Sequence, residues 1–419
     1  MICPSRPSIV SFASVVSFVV CAFTSPVSAQ AVSQRGFVDA RGALFPQDTP
    51  TDSQNVVGDF LVREEVFAKP ASWIQFAAGV DARANSHGQV ERAWRLDVRD
   101  RGVLRPAFSI RRLSATLARG PLTVDVGKQF IRWGKADIVT PTDRFAPRDF
   151  LNVVDTEFLA VTGARVMVQW GAETVDAVWV PFFTPSRMPL LDQRWTAVPV
   201  TDDPLTLIDV SAAPPSGSQS GVRWGHTGSG YELSLSYFNG FNHLPNIEGR
   251  AGTTPSQVEI FRQYPDLQSY GVDAAVPTRW LMLKGEVAYS TTSAVGADEY
   301  VVYVVQLERQ TGEWLIVGGY AGEIVTLRRA QLTFAPDRGL TRSLVGRASY
   351  TIDANRSAAI EAAVRQNGDG AYVKGEYSQA RGQHWRATMT GAVIRGRSDD
   401  FLGQYRRNSH LTFSLRYSF

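Results

Sequence analysis

Residues 409–419 read SHLTFSLRYSF. Leu411, Phe413, Leu415, Tyr417 and Phe419 fall on one side of an extended chain, and Thr412, Ser414, Arg416 and Ser418 on the other. Alternation that strict specifies a β-strand. One face is wholly apolar while the other carries an arginine, so the strand divides an apolar medium from a wet one. The same period recurs upstream. Tyr231, Leu233, Leu235 and Tyr237 alternate with Glu232, Ser234 and Ser236; Leu281, Leu283, Val287 and Tyr289 alternate with Lys284, Glu286 and Ala288. Ala164, Val166, Val168 and Trp170 alternate with Arg165, Met167 and Gln169, and Ala358, Ile360, Ala362 and Val364 with Glu361, Ala363 and Arg365. A β-sandwich also alternates, but it needs no Tyr and Trp at its strand tips. A barrel in lipid places them at the headgroups.

Mean hydropathy is −0.12, an ordinary value. After the first residues no apolar run approaches the roughly 20 residues of a membrane-spanning helix, so helical membrane folds are excluded. A barrel averages its lipid-facing and lumen-facing residues and so conceals its membrane character. The net charge of +3 and the absence of basic runs give no footing for nucleic acid. The start of the chain reads as an export signal: Arg6, the apolar stretch Ile9–Phe23, then Val27-Ser28-Ala29. Cleavage is expected after Ala29, leaving 30–419 as one barrel domain. Both cysteines, Cys3 and Cys21, fall in the removed part. Disulfides, thiolate metal sites and a cysteine nucleophile are therefore excluded.

Reading back from Phe419 gives about 18 antiparallel strands, with 16 as the fallback. They lie near residues 36–45, 56–68, 73–85, 107–118, 121–131, 161–170, 173–181, 218–226, 230–239, 269–276, 280–290, 299–309, 313–322, 340–351, 356–366, 371–379, 384–394 and 409–419. The strand near Phe108 needs a bulge to keep alternating. Connections alternate between short turns, such as Gly171-Ala172 and Gln310–Gly312, and long loops, such as Arg132–Ala160, Phe182–Gly217 and Gly240–Gln268. Asn367–Gly370 is the short exception among the long ones. Short periplasmic turns and long outer loops mark barrels of the Gram-negative outer membrane, and an even strand number returns the chain to the side on which it began. Gln30–Arg35 is too short a lead to form a plug domain.

A barrel of 16 to 18 strands encloses an aqueous channel unless something fills it. Its inward positions here carry both signs, among them Asp39, Arg165, Asp176, Lys284, Glu286, Arg347, Glu361, Arg365 and Arg416. Such charges either pair across neighbouring strands or set a transverse field that filters solutes. The segment expected to narrow the lumen is Gly127–Phe150, GKQFIRWGKADIVTPTDRFAPRDF. It concentrates Arg132, Lys135, Asp137, Asp143, Arg144, Arg148 and Asp149, interleaved with Trp133, Ile138, Phe145 and Phe150, while Pro141 and Pro147 bar it from continuing as a central strand. It should fold against the barrel wall and project into the pore. Phe182–Gly217 is rich in proline and apolar side chains, including Phe182, Phe183, Met188, Trp195 and Leu205. It reads as a lid packed on itself or as an apolar port.

These stretches carry a resemblance. The strand end Gly127-Lys128-Gln129, then Arg132-Trp133-Gly134-Lys135-Ala136-Asp137, Pro141-Thr142-Asp143 and Pro147-Arg148-Asp149 resembles DUF1302-type porin-like outer-membrane proteins and, more distantly, alginate-export barrels. Trp179–Arg187 is similar to a second segment of that group. The terminal strand also resembles those of outer-membrane barrels, in which the assembly machinery reads the last aromatic, here Phe419. The resemblance implies a channel or export pore in the outer membrane, in contact with its lipids, and passage of small solutes is the leading function. Export or transfer of a hydrophobic compound, lipid or polysaccharide is the alternative. A non-conducting barrel that binds partners through its loops and a lipid-active barrel enzyme are further ones. The histidines His87, His226, His243, His384 and His410 sit beside no nucleophile motif, and no His/Asp/Glu set has ligand spacing. No enzyme activity, cofactor or metal is expected. A trimer is left open.

Overall fold

The computed structural model describes residues 32–196, 206–210, 214–254, 256–329 and 338–419. The expected export signal, residues 1–29, and Leu205 lie outside them. The main sheet has 19 strands; 18 form the barrel and the other, Val90–Arg95, is a short accessory. In chain order the barrel strands are β1 (Val32–Leu44), β2 (Val56–Ala71), β3 (Ile74–Asn85), β4 (Arg105–Arg119), β5 (Leu122–Gln129) and β6 (Val161–Trp170). Next come β7 (Glu173–Val180), β8 (Gln219–Gly228), β9 (Tyr231–Phe241), β10 (Asp266–Pro277), β11 (Met282–Thr291) and β12 (Glu299–Thr311). The last six are β13 (Trp314–Leu327), β14 (Ser343–Asp353), β15 (Arg356–Arg365), β16 (Gly370–Arg381), β17 (Trp385–Gly396) and β18 (His410–Ser418). Each expected strand has its counterpart. Within the barrel every neighbour is antiparallel, and β1 pairs with β18 from Phe37↔Ser418 to Leu44↔Leu411, which closes the barrel without an edge; the accessory Val90–Arg95 lies parallel to β4.

Leu411, Phe413 and Leu415 are exposed on the outer face, as are Val222, Leu235, Val305, Ile360 and Val393 on other strands. Trp73, Trp170, Tyr231, Trp280, Trp314 and Trp385 are exposed beside short turns, so one end of the barrel wears an aromatic girdle. Two-residue turns join most strands at that end. They demand positive φ, which Gly171 and Gly312 supply at 57° and 55°. Loops at the other end are long, except for Gln366–Asp369.

Three departures refine the sequence reading. The bulge expected near Phe108 lies three residues on: Gly79 faces Arg112 while Val80 faces Ile110, leaving Arg111 as the extra residue. Arg111 and Arg112 consequently both lie over the Phe130 ring, at 4.8 and 5.5 Å. Of the expected lead Gln30–Arg35, the residues from Val32 on are the start of β1, pairing with β2 beyond the end of β18. Finally, two long loops share a small sheet: Thr206–Val210 runs parallel to Gln257–Gln263, which pairs with Asn246–Ala251.

Most buried apolar side chains lie inside the barrel, where long loops meet the inner wall. The lumen is therefore furnished from the loop end.

Candidate functional site: the in-barrel segment and its cavity

Residues 130–160 leave β5 and return to its neighbour β6, yet their contacts run around the inner wall. The first anchor is aromatic. Trp133 stacks edge-on to Phe145 at 5.0 Å, and Phe145 to Phe238 of β9 at 4.9 Å, in a cluster with Ile131, Val178 and Val180. The Trp133 indole Nε1 donates to Asp176 of β7 at 2.9 Å, and Asp176 also takes Arg165 of β6 at 2.7 Å. A buried indole needs such an acceptor.

The second anchor is a pair of carboxylates. Asp143 accepts the N–H of Gly134 at 2.8 Å and that of Trp133, and pairs with Arg132 at 3.0 Å. Glu286 of β11 accepts the N–H groups of Lys135 and Ala136, and the Thr142 hydroxyl at 3.1 Å. Gly134 is required here: a Cβ would come to 2.9 Å from Thr140 and 3.2 Å from Glu286. The segment approaches the wall more closely than a side chain allows.

Beyond this point charges fasten it to further strands. Lys135 reaches Glu232 of β9 at 2.7 Å and Asp273 of β10 at 3.6 Å; Asp273 also holds Arg223 of β8 at 2.9 Å. Asp137 pairs with Lys284 of β11 at 2.9 Å, and its N–H donates to Gln306 of β12 at 3.0 Å. Arg144 donates to Ser290 at 3.1 Å. Arg132 and Arg148 lie over the Phe158 ring at 4.2 and 4.3 Å. On the return leg Glu157 takes Arg83 of β3 at 2.6 Å, and Asp155 pairs with Arg41 of β1.

Asp149 is the most deeply committed acid of the segment. It takes Arg105 of β4 at 2.8 Å and Arg187 at 3.2 Å, and Arg187 also binds Asp100. Burial alone would push its carboxyl up; the two guanidiniums outweigh burial and hold it well below the usual carboxylate range. Arg187 belongs to the loop after β7, the second segment inside the mouth. That loop pairs with the first through Phe150 N–H to Arg187 O at 2.9 Å and Arg148 N–H to Ser186 Oγ at 3.0 Å. Its Trp195 then packs on Phe45, Tyr405 and His410. Phe183 and Trp195 are therefore buried against other loops, an arrangement different from a lid packed on itself. His243, from the loop after β9, joins the two segments: its ring lies between Thr184 O at 2.6 Å and Arg144 O at 3.0 Å, stacked on Phe183. Burial pushes its imidazole down to about 4 despite both carbonyls.

The seven charged residues expected in the segment, and Trp133 with them, thus share one element but do different things. Trp133, Asp143 and Asp149 hold it in place, whereas the side chains of Arg132 and Asp137 stay about half exposed, at 44% and 51%. Of the expected wall residues, Arg416 pairs with Asp39 across the closing seam at 2.9 Å, Arg365 with Asp400 at 2.9 Å, and Arg347 with Glu361 at 3.6 Å. Sequence reasoning missed Arg105, Arg187, Gln306, Tyr372 and Tyr405. Arg187 sat within the quoted Trp179–Arg187 stretch and its partner Asp149 was named, but nothing in the sequence joined the two.

Between residues 137–156 and the inner faces of β12 and β15–β17 lies a cavity of about 300 Å³. Ile138, Val153 and Val154 form one side; Tyr300, Val302, Tyr372 and Ile394, with Leu340, Leu402 and Tyr405, form the other. Among the described residues no group of three His, Asp or Glu side chains could hold a metal ion.

A closed barrel of this size, lined from within by a long loop, has the architecture of outer-membrane porins. The chain is similar to the OccAB4 structure of Acinetobacter baumannii, with TM-score 0.56 and 9% identity over 94% of this chain and all of that one. It is also similar to Pseudomonas aeruginosa OpdK, solved with vanillate (TM-score 0.53, 9% identity, covering 92% and 98%). A BenF-like porin from Pseudomonas fluorescens Pf-5 aligns with TM-score 0.54 at 9% identity, over 93% and 98%. No family model and no curated protein matches the chain.

Proposed function

We propose that this protein is an outer-membrane channel for small solutes and that residues 130–160 form its constriction. The observation that carries the reading is the anchoring of that segment on inward-facing Asp176, Asp273, Glu286 and Gln306, inside a barrel wide enough for water. Half-exposed Arg132 and Asp137 supply opposite charges to a passing solute, which such constrictions use to select. The motif resemblance to DUF1302-type barrels supports the same reading. Residues 1–29 would be removed on export. In planar bilayers the purified protein should give stepwise ion conductance. Sealed bilayers containing folded barrel would overturn the proposal.

Phe419 is proposed as the signal read by the barrel assembly machinery. Its ring is 48% exposed on the outer face, and its backbone exchanges hydrogen bonds of 3.0 Å with Gly36 across the seam. Deleting Phe419 should lower the amount of folded barrel in the membrane of living cells several-fold, while refolding of the purified chain into detergent changes little. Equal losses in both settings would assign Phe419 to stability instead.

A further inference from the structure

The rim of the barrel at its loop end carries a face that a channel has no use for. Past Gln129, where β5 ends, the accessory strand Val90–Arg95 takes its place beside β4, with Trp94 opposite Phe108 and Arg95 opposite Ser109. We propose that this rim binds a phosphate-bearing lipid of the outer leaflet, with Trp94 and Leu96 against its acyl chains and Arg92, Arg99 and Arg101 around its phosphate. The site lies on the membrane side of the wall and does not depend on whether the barrel conducts.

Three observations carry it. The first is direction. Phe108 pairs with Ala82 of β3, and Asp81, one residue before Ala82, turns into the lumen to meet Arg63 at 2.7 Å and Arg83 at 3.0 Å. Successive side chains of a strand take opposite faces, so Ala82 and Phe108 look outward. Trp94 shares that face, its ring centroid 5.4 Å from that of Phe108. The accessory strand therefore continues the lipid-facing wall beyond the end of β5.

The second is exposure. Arg92, Trp94 and Leu96 are exposed, while Glu91, Ala93 and Arg95 between them are half-buried. Trp94 is 70% exposed and Leu96 62%. An apolar pair so open, with a cation beside it, suits a boundary that is apolar on one side and wet on the other. Long loops mark this end as the external one, so the boundary it meets is that of the outer leaflet.

The third is charge. Glu91 is taken by Arg95, and Asp100 by Arg187 and by Lys128 at 3.7 Å. Among the described residues Arg92, Arg99 and Arg101 have no ion-pair partner within reach; Arg99 lies over the Phe182 ring at 4.6 Å, and Arg101 donates to the Phe183 carbonyl at 2.9 Å. Asp97 is the acid left to face them, and its carboxylate already accepts the N–H groups of Arg99 and Asp100. Desolvation and the adjacent Arg99 charge hold the Arg101 guanidinium below its ordinary value, against the pull of Asp97. A phosphate supplies the missing negative charge, with oxygens spaced for guanidinium donors.

Trp94 reads this site by fluorescence. The folded barrel is reconstituted in phosphatidylcholine vesicles carrying a small share of a chain-brominated lipid, either phosphatidic acid or phosphatidylcholine. The chain has ten tryptophans, so the part due to Trp94 is the difference between wild type and Trp94→Phe. Brominated phosphatidic acid should quench that part roughly five-fold more than brominated phosphatidylcholine at the same share, as cations near anionic lipid predict. Arg92→Ala/Arg99→Ala should abolish the preference, and Arg92→Lys/Arg99→Lys should keep most of it; gel mobility shows that each variant is folded. Equal quenching by the two lipids, or a preference that survives the alanine pair, would overturn the proposal. So would a Trp94 that neither lipid reaches, the result expected if a second copy of the chain covers this rim. Excess inorganic phosphate should leave the quenching in place, and full relief by it would reduce the site to one for the free ion, against the proposal.

Discussion

Replacing Glu286 by alanine should raise the single-channel conductance, by roughly two-fold or more, because the segment that occupies the lumen loses its central tether. Glu286 is one side chain holding three groups of another element: the N–H groups of Lys135 and Ala136 and the Thr142 hydroxyl. Without it two backbone donors lose their acceptor at a buried position, at a cost of about 1–3 kcal/mol each. Lys284 and Gln306 still hold Asp137, and Trp133 still holds Asp176, so the segment should sag from its middle rather than detach. Noise on the open current should therefore rise as well. Glu286→Gln keeps one accepting oxygen and should fall between wild type and alanine. Conductance histograms in planar bilayers separate the three. An alanine variant that folds and conducts like the wild type would show that the tether does not set the aperture.

Asp149→Ala should be the most destabilising single change in the segment, by roughly 3–5 kcal/mol, since it leaves the buried Arg105 guanidinium without its carboxylate and that of Arg187 with Asp100 alone. Leu151 N–H loses its acceptor at 3.1 Å too. The carboxyl is held well below its ordinary value. Its contribution is therefore complete above the unfolded value of about 4 and is lost only as pH falls toward the folded one. Melting temperatures followed by circular dichroism should differ between wild type and variant by a constant amount from about pH 8 to about pH 5. A difference that vanishes within that window would contradict the pairing.

The barrel was legible because each wall residue faces either lipid or water, and the period of two records that choice directly. Short turns were legible for a related reason: Gly171 and Gly312 stand where the tight reversal needs positive φ. The bulge at Arg111 could be anticipated near Phe108 but not placed, because the break in alternation spreads over Ile110 to Leu113. Of the site, the segment itself stood out through its charges and prolines. Its anchors did not. Alternation says that Glu286 points inward; nothing in it says which loop Glu286 meets or singles out Gln306, and their partners lie 150 and 169 residues away. The accessory sheet escaped for the same reason, being a parallel pairing of Thr206–Val210 with a stretch of another loop. Phe183 and Trp195 announced burial without saying against what.

The anchors of residues 130–144 follow the segment in the chain, on β7 to β12, whereas the seam between β1 and β18 joins the first strand to the last. That order bears on how the barrel is made. While the sheet is still open, the segment can lie down on strands as they arrive, and every hydrogen bond it forms with them curls the sheet toward itself. If the segment docks before the seam closes, it serves the growing wall as a mandrel, and a variant unable to dock should close its barrel more slowly than the wild type in refolding followed by gel mobility. A chain whose segment cannot dock would have to bend that wall unaided.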